Sequence, residues 1–285
     1  MNIIETFLVN NLSDDIRLYD YLTKVTETIP SRKGTKKALK KGRIYLNRIS
    51  ATGSEFLKPG DFIEITEDEP LVKKVFPLSV KVSYEDEFLA LVEKPAGIPT
   101  SGNYYKTLLN ALPYNISKSR EKDALPCPLP IHRLDKLTSG LVIIAKTYAS
   151  RIELGKMLEN REIHKSYRAI VHGEIHGFGL LNSAIDGKSA LSSFHCLDTI
   201  ETKRFGTATL LELSPITGRT HQLRIHMARL GFPIFGDKMY VGNIKTTMDK
   251  GLFLQAFSVE FIHPVTKTII AISLQQPNKF NWIMK

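Results

Sequence analysis

Residues 131–145 read IHRLDKLTSGLVIIA and place one acid, Asp135, between an arginine and a lysine. A Thr-Ser-Gly turn follows, and the apolar run at 141–145 comes directly after it. A short continuous apolar run bounded by a turn predicts a buried β-strand. The sequence therefore predicts a loop that carries a single carboxylate and leads straight into the core of a sheet.

Short apolar runs of this kind recur along the chain. Further strands are predicted at 88–93, 166–171, 207–213 and 267–273. Helices are predicted near 147–160 and 220–230. Many strands, few helices and no internal repeat favour an α+β fold with a mixed or antiparallel β-sheet.

The composition is typical of a soluble globular protein, with 42% hydrophobic and 24% charged residues. No apolar run approaches the roughly 18 residues of a transmembrane helix, and the start of the chain lacks a basic leader. The two cysteines, Cys127 and Cys196, have neither the spacing of a metal site nor that of a disulfide framework. We expect a reduced, cytoplasmic protein with no membrane partner.

The charge of the chain favours a polyanionic partner such as RNA, because the formal net charge is +10 and the isoelectric point is near 9.4. Residues 31–48 hold eight basic residues and no acid. Ser31 is a candidate helix N-cap and Gly42 a candidate residue just past the helix end, so this segment predicts a helix of about three turns.

Five lysines of that helix share one face, because they are spaced at i, i+3, i+4, i+7 and i+8. They are Lys33, Lys36, Lys37, Lys40 and Lys41. Such a stripe is either a solvated helix face or a surface that meets phosphates. The residues alone leave both interpretations open.

The segments around this helix resemble the small RNA-binding module named after a protein of the small ribosomal subunit, here called the S-four-type domain. The matching pieces are IRLYDYL at 16–22, SRKGTKKALKKGRIYLN at 31–47 and LKPGDFIEI at 57–65. The chain departs from the family pattern where Tyr19 precedes Asp20, and where an arginine follows Asn47.

This resemblance implies a small α/β RNA-binding domain over residues 1–70. The residues expected to contact RNA are Arg32, Lys33, Lys36, Lys37, Lys40 and Lys41. Residues 71–77 are then a linker, and residues 78–285 a second domain.

Several chemistries are poorly supported in that second domain. His221 and His226 are five residues apart, with no cysteine or glutamate to complete a set, so no metal site is expected. A nucleophile-elbow serine, a second carboxylate near Asp135 and a glycine-rich phosphate loop are also missing from the sequence. Lys94, ahead of a Pro/Gly-rich loop, fits a structural turn better than a catalytic lysine.

A lone aspartate in a loop usually caps a turn or forms a salt bridge. Asp135, however, lies among cations, and a nearby positive charge favours the ionised form of a carboxyl group. An ionised carboxylate is a poor proton donor but a competent nucleophile. The residues themselves permit either role.

Five segments in order resemble the motifs of the RluA-type family of pseudouridine synthases, over roughly residues 78–277. They are YEDEFLALVEKPAGIPT (84–100), HRLDKLTSGLVIIAKT (132–147), KSYRAIVHGEI (165–175), TGRTHQLRIHMARLGFPIFGDKMY (217–240) and LFLQAFSVEFIHP (252–264). The resemblance implies that residues 78–285 form a catalytic domain. Its expected activity is the cofactor-free isomerisation of specific uridines to pseudouridine in structured RNA.

The resemblance also implies roles for individual residues. Asp135 matches the catalytic aspartate of the family, which acts on the anomeric carbon of the ribose or promotes a glycal intermediate. Arg224 matches the arginine that pairs with this aspartate. Tyr167 matches the tyrosine that packs on the target base, where a phenol ring can stack while its hydroxyl reaches a polar partner.

A uridine in folded RNA must leave its stack before Asp135 can reach it, so base flipping is expected. Arg133 then fills the vacated space, holds a phosphate or pairs within the protein. Arg219 supports its loop or touches RNA. His132, His221 and His226 are expected to form hydrogen bonds within the site rather than to exchange protons.

Large-subunit ribosomal RNA is the first candidate substrate, with transfer RNA as the alternative, and the expected oligomeric state is a monomer. A binding protein that kept the fold without catalysis would be expected to have lost Asp135, Tyr167 or Arg224, and all three are present. Methyl transfer to RNA would need a cofactor loop that the sequence does not show.

Overall fold

A computed structural model describes residues 3–10, 12, 15–29, 31–67, 74–242 and 250–284. The chain divides into two compact units, residues 1–73 and 74–285. Of the predicted linker, residues 71–73 lie outside the described residues, and residues 74–77 form neither helix nor strand. In the described residues no helix is both long and apolar enough to cross a membrane.

The first unit is a four-stranded antiparallel sheet with two helices. Its strands follow the order β1-β4-β2-β3. The buried side chains at its centre include Leu18, Leu22, Ile44, Ile63 and Ile65. The elements are β1 (Ile3–Leu8), α1 (Leu18–Val25), α2 (Arg32–Lys40), β2 (Ile44–Leu46), β3 (Ile49–Ser50) and β4 (Phe62–Thr66).

Helix α2 is the helix that the basic segment predicts. The Ser31 hydroxyl accepts a hydrogen bond of 3.1 Å from the Gly34 amide, which caps the first turn. Its buried face consists of Thr35, Ala38 and Leu39. The predicted RNA contacts are all exposed: Arg32, Lys33, Lys36, Lys37, Lys40 and Lys41. The helix therefore separates an apolar inner face from a basic outer face.

The second unit is built on one ten-stranded mixed sheet. Eight strands follow the order β10-β11-β12-β9-β13-β8-β6-β5, while β14 pairs with β13 and β7 pairs with β8. The strands are β5 (Lys81–Glu85), β6 (Leu89–Lys94), β7 (Ala124–Pro130), β8 (Ser139–Thr147), β9 (His164–His172), β10 (Phe178–Asn182), β11 (Leu191–Thr202), β12 (Gly206–Pro215), β13 (Leu254–Ile262) and β14 (Ile269–Ser273). This architecture confirms the predicted α+β class and each strand predicted from an apolar run.

In the described residues of this unit, four helices accompany the sheet: α3 (Leu108–Asn115), α4 (Tyr148–Glu159), α5 (Gln222–Arg229) and α6 (Asn278–Met284). Helices α4 and α5 are the two that the sequence predicts. Thr147 and Ser150 form a capping box at the start of α4. Apolar side chains of α5 and α6 pack with those of β9 and β12 in one buried cluster, so these helices lie against the sheet.

Two central strands of the sheet, β8 and β13, run parallel, and Gly140 of β8 pairs with Ala256 of β13. The turn predicted at Thr-Ser-Gly lies just before these residues, because Ser139 and Gly140 already belong to β8. Gly140 has a φ of +119°, and a Cβ atom there would lie 2.2 Å from the carbonyl oxygen of Ala256. A side chain at position 140 would therefore collide with the backbone of β13. This close approach fixes the end of the loop that carries Asp135.

Candidate active site

The second unit contains a cavity of about 320 Å³ beside the turn before β8 that carries Asp135. Its walls come from that turn, from β9, and from the segment that joins β12 to α5. The residues predicted from the motifs, Asp135, Tyr167, Arg224, Arg133 and Arg219, all line it. The predicted RNA contacts on α2 belong to the first unit.

The backbone on both sides of Asp135 is tied to the loop after β6. The Thr100 hydroxyl donates to the Leu134 carbonyl and accepts from the Leu134 amide, both at 3.0 Å. The Gly97 amide donates to the Lys136 carbonyl at 2.7 Å. Asp135 itself is held in a turn by the Thr138 amide, which donates to its carbonyl at 3.1 Å. The carboxylate is therefore presented by a fixed backbone.

Lys94 secures this arrangement from inside the protein. Its ammonium group is 1% exposed and donates to the carbonyls of Pro95 and Ile98 at 2.9 Å, and to that of Lys136 at 3.4 Å. Burial lowers the pKa of Lys94 to about 8, and the charge of Asp135 opposes that change. These bonds support the structural interpretation of Lys94.

Two cationic or donor side chains face the Asp135 carboxylate. Nη1 of Arg224 lies 3.7 Å from Oδ2, and Nε2 of His221 lies 3.8 Å from Oδ1. Both separations exceed the length of a hydrogen bond, so neither side chain closes a direct contact with the carboxylate. The Arg224 guanidinium acts on it by its charge. The side chain of Asp135 stays 22% exposed toward the cavity.

Arg224 is bound most tightly by Asp237, a residue that was not among those predicted from the sequence. Its Nε and Nη2 donate to the two carboxylate oxygens of Asp237 at 2.6 and 2.9 Å, a bidentate pair that is almost wholly buried. Burial alone would lower the pKa of Arg224, but the hydrogen bonds and charge of Asp237 outweigh it and raise that pKa. The predicted pairing with Asp135 is thus a second, longer contact of an arginine already fixed by Asp237.

Asp237 is held in turn by the chain around it. The Met239 and Tyr240 amides donate to its Oδ1 at 2.9 and 3.2 Å. Burial would raise the pKa of Asp237, but the Arg224 guanidinium and these amides lower it below its usual value. A signal for Asp237 was present in the sequence, since GDKMY ends the fourth matching segment.

His221 and Tyr240 complete the wall behind Asp135. His221 precedes α5 with a left-handed φ of 55°, and its Nδ1 lies 2.9 Å from the Tyr240 hydroxyl. The Arg224 guanidinium lies 5.1 Å from the centroid of the Tyr240 ring, within range of a cation–π contact. Tyr240 therefore touches both side chains that face the carboxylate of Asp135.

Tyr167 enters the cavity from β9, where it pairs with Leu213 of β12 and Ala256 of β13. Burial raises the pKa of its phenol, and the charge of Asp135 raises it further. Tyr167 is therefore a neutral ring at physiological pH, with a flat face and a hydroxyl that can donate.

His132 and His226, the other two histidines for which hydrogen bonds were predicted, form them. Nε2 of His132 accepts from the Ile143 amide at 3.1 Å, and burial together with the charge of Lys165 lowers the pKa of His132 to about 3. His226 connects α5 to the Ser192 hydroxyl near the start of β11 and to the carbonyl of Ser183, which follows β10, both at 3.1 Å. Neutral, internally bonded rings suit a structural role.

The two arginines at the rim differ in their contacts. Arg133 is exposed. Arg219 is also exposed, but its Nε donates to the Ser189 carbonyl at 3.0 Å and its amide donates to Gln222 Oε1 at 2.9 Å. Arg219 therefore supports the loop that leads into α5. In the described part of the chain, no three His, Cys, Asp or Glu side chains are grouped so as to hold a metal ion.

Comparison with known proteins agrees with this geometry. Residues 89–229 match the family model described as RNA pseudouridylate synthase, a span that includes Asp135, Tyr167 and Arg224. An uncharacterised RNA pseudouridine synthase of Bacillus subtilis is 33% identical over 272 residues, which cover 88% of each chain. The ribosomal large subunit pseudouridine synthase D of Xylella fastidiosa is 30% identical, over 84% of this chain and 79% of its own length.

A solved structure shares the fold. Human RNA pseudouridylate synthase domain containing 1 superposes with a TM-score of 0.58 at 22% identity, over 74% of this chain and 87% of the human chain. The extent of the sequence matches, rather than this fold similarity, decides the family. The chain belongs to the RluA-type family of pseudouridine synthases and is an RNA pseudouridine synthase.

Proposed function

We propose that this enzyme isomerises specific uridines in large-subunit ribosomal RNA, with Asp135 as the catalytic group and no cofactor. Relatives named ribosomal large subunit pseudouridine synthase D support the choice of RNA. The observation that carries the proposal is the meeting of Asp135, Tyr167 and Arg224 in one cavity. Its volume of about 320 Å³ falls within the range of small-ligand pockets, so it suits a single flipped nucleoside.

The reaction needs no atom from outside the uridine except exchangeable protons. The bond from N1 of uracil to C1′ of ribose breaks, the base turns, and a bond from C5 to C1′ forms. C5 then loses its proton and N1 gains one. Asp135 either bonds to C1′ and is later released, or removes a ribose proton to give a glycal that is afterwards reprotonated.

Arg224 and Tyr167 have distinct roles in this proposal. Arg224 keeps a fixed positive charge 3.7 Å from Asp135, where it faces the carboxylate that both routes require. Tyr167 stacks on the turning base with its neutral ring, and its hydroxyl can donate a hydrogen bond within the same cavity. Arg133, exposed at the rim, meets the RNA beside the flipped nucleotide.

We also propose that the first unit is an S-four-type RNA-binding domain. Support comes from α2, which exposes a stripe of lysines on a helix whose other face is buried in its own core. A row of ammonium groups on a rigid helix matches the phosphates of an RNA backbone. On this proposal the stripe contributes affinity, while the cavity selects and converts the uridine.

Asp135→Asn tests the catalytic assignment, because it preserves shape and removes the charge. Purified wild-type and variant protein would be incubated with large-subunit ribosomal RNA and with transfer RNA, both from cells that lack the gene. Pseudouridine would then be mapped by mass spectrometry of RNA fragments. We expect the wild type to modify ribosomal RNA and the variant to bind it without product.

Three results would contradict parts of the proposal. Turnover by Asp135→Asn above a trace would remove Asp135 from its role. Product in transfer RNA alone would correct the substrate. Binding by the wild type without product in either RNA would favour the non-catalytic alternative.

A further inference from the structure

A cluster of aromatic and basic side chains lies in the second unit, away from the cavity. Trp282 of α6 is the single tryptophan of the chain and is 42% exposed. Its ring centroid lies 5.6 Å from that of Phe205, in the turn between β11 and β12. The Arg204 guanidinium and the Lys250 ammonium lie 6.0 and 5.4 Å from the indole centroid. We call these four residues the tryptophan patch.

The cations at and beside this patch are exposed and have no acidic partner within the described part of the chain. Lys203, Arg204 and Lys250 are all exposed. Among the residues that the structure describes, none of the three forms an ion pair. Helix α6 itself contains no acidic residue. The surface therefore attracts an anionic partner.

An exposed indole among cations combines the two features by which proteins bind single-stranded nucleic acid, an aromatic ring and positive charge. A base stacks on the aromatic face, and the cations meet the phosphates on either side. We propose that the tryptophan patch binds an unpaired stretch of the RNA substrate, with one base stacked on Trp282 and phosphates at Arg204 and Lys250. The inference rests on the proposed function in taking RNA as the partner.

The patch is distant from the cavity along the sheet. Strand β12 runs from Gly206, next to the turn that carries Arg204, to Pro215, which lines the cavity. At about 3.3 Å per residue, this strand separates the two sites by roughly 30 Å. One RNA molecule can therefore reach both sites only if it spans at least that distance. A trinucleotide bound in the cavity is too short to reach the tryptophan patch.

Because Trp282 is the single tryptophan of the chain, the fluorescence of the wild-type enzyme reports directly on the tryptophan patch. Tryptophan emission and its quenching by acrylamide would be measured during titration with a fragment of large-subunit ribosomal RNA, and separately with a uridine trinucleotide. We expect the long RNA to quench the emission and shield the indole from acrylamide, and the trinucleotide to do neither. Unchanged emission and unchanged acrylamide quenching at saturation with the long RNA would overturn the inference.

A charge variant tests the phosphate contacts. Removal of two contacts through Arg204→Gln with Lys250→Gln should lower the slope of log affinity against log salt by about 1.4, at about 0.7 for each single-strand phosphate. The matched control is Lys118→Gln with Lys122→Gln, since both lysines are exposed between α3 and β7. An equal change in slope for both pairs would show a general charge effect and overturn the assignment.

Two further results distinguish RNA from an acidic polypeptide as the partner, and distinguish failure of this inference from failure of the proposed function. Equal quenching of Trp282 by polyglutamate would indicate an acidic polypeptide surface and overturn base stacking. Pseudouridine formation is measured independently of fluorescence. Product with no change at Trp282 contradicts this inference alone, whereas quenching and shielding without product support the patch and contradict the proposed function.

Discussion

Asp237 fixes the guanidinium of Arg224 through two hydrogen bonds of 2.6 and 2.9 Å in a nearly solvent-free environment. A bidentate pair sets the plane of the guanidinium as well as its position. The remaining terminal nitrogen, Nη1, is thereby directed to a point 3.7 Å from the Asp135 carboxylate. Asp237 therefore acts on the proposed reaction through Arg224, as a positioning residue.

Replacement of Asp237 by asparagine should impair catalysis more than RNA binding. An amide offers one acceptor oxygen instead of two, so Arg224 loses its fixed plane. A displacement of about 1 Å in a catalytic group can reduce the rate by about a hundredfold. We expect a loss of that order in the single-turnover rate at saturating RNA, with little change in affinity. Asp198→Asn, at an exposed position on β11, is the control, and an equal loss there would refute the positioning role.

The stripe on α2 should govern the salt dependence of RNA binding. Substitution of Lys33, Lys36, Lys37 and Lys40 by glutamine removes up to four phosphate contacts. At about 0.7–0.9 for each contact, the slope of log affinity against log salt should fall by about 3. The single-turnover rate at saturating RNA should be unchanged. A slope equal to that of the wild type would show that the stripe is only a solvated helix face.

Gly140 should tolerate no side chain. A Cβ atom at this position would lie 2.2 Å from the Ala256 carbonyl oxygen, and both atoms belong to central strands. An overpacked core typically costs roughly 1–3 kcal/mol. We expect Gly140→Ala to lower the free energy of unfolding of the second unit by at least about this amount. Gly155→Ala in α4 is the control, because it meets nothing within 4 Å and should be neutral or stabilising by up to about 1 kcal/mol. Similar melting temperatures for both variants would contradict the close approach.

Local patterns in the sequence were enough to predict much of this fold. The apolar runs predicted β6, β8, β9, β12 and β14, and Ser31 predicted the start of α2, since each depends on near neighbours in the chain. Strand β11 was not predicted from the sequence, because its side chains are mostly polar or half exposed and form no apolar run. The pairing of Arg224 with Asp237 was not predicted either. The two residues lie on opposite sides of a turn, and only tertiary packing determines the path of that turn.

The buried pair of Arg224 and Asp237 should make the stability of the protein depend on pH. In the wild type, burial would raise the pKa of Asp237, but Arg224 and the nearby amides lower it. The pair therefore stabilises the fold above the ordinary carboxyl pKa, and this contribution is lost as the pH falls toward the lowered value. Arg224→Met leaves the buried carboxylate without its cation, which should cost about 3–5 kcal/mol at neutral pH.

In that variant the pKa of Asp237 should rise, because burial remains and the guanidinium is gone. Protonation then relieves the cost, so the stability deficit relative to the wild type should shrink as the pH is lowered from about 7.5 to about 5. Urea unfolding across this range measures the effect. Addition of Asp237→Asn to Arg224→Met should restore most of the lost stability and remove the pH dependence, although activity stays absent. A deficit that is independent of pH, or a double variant no more stable than the single one, would show that Arg224 stabilises the protein by packing rather than through Asp237.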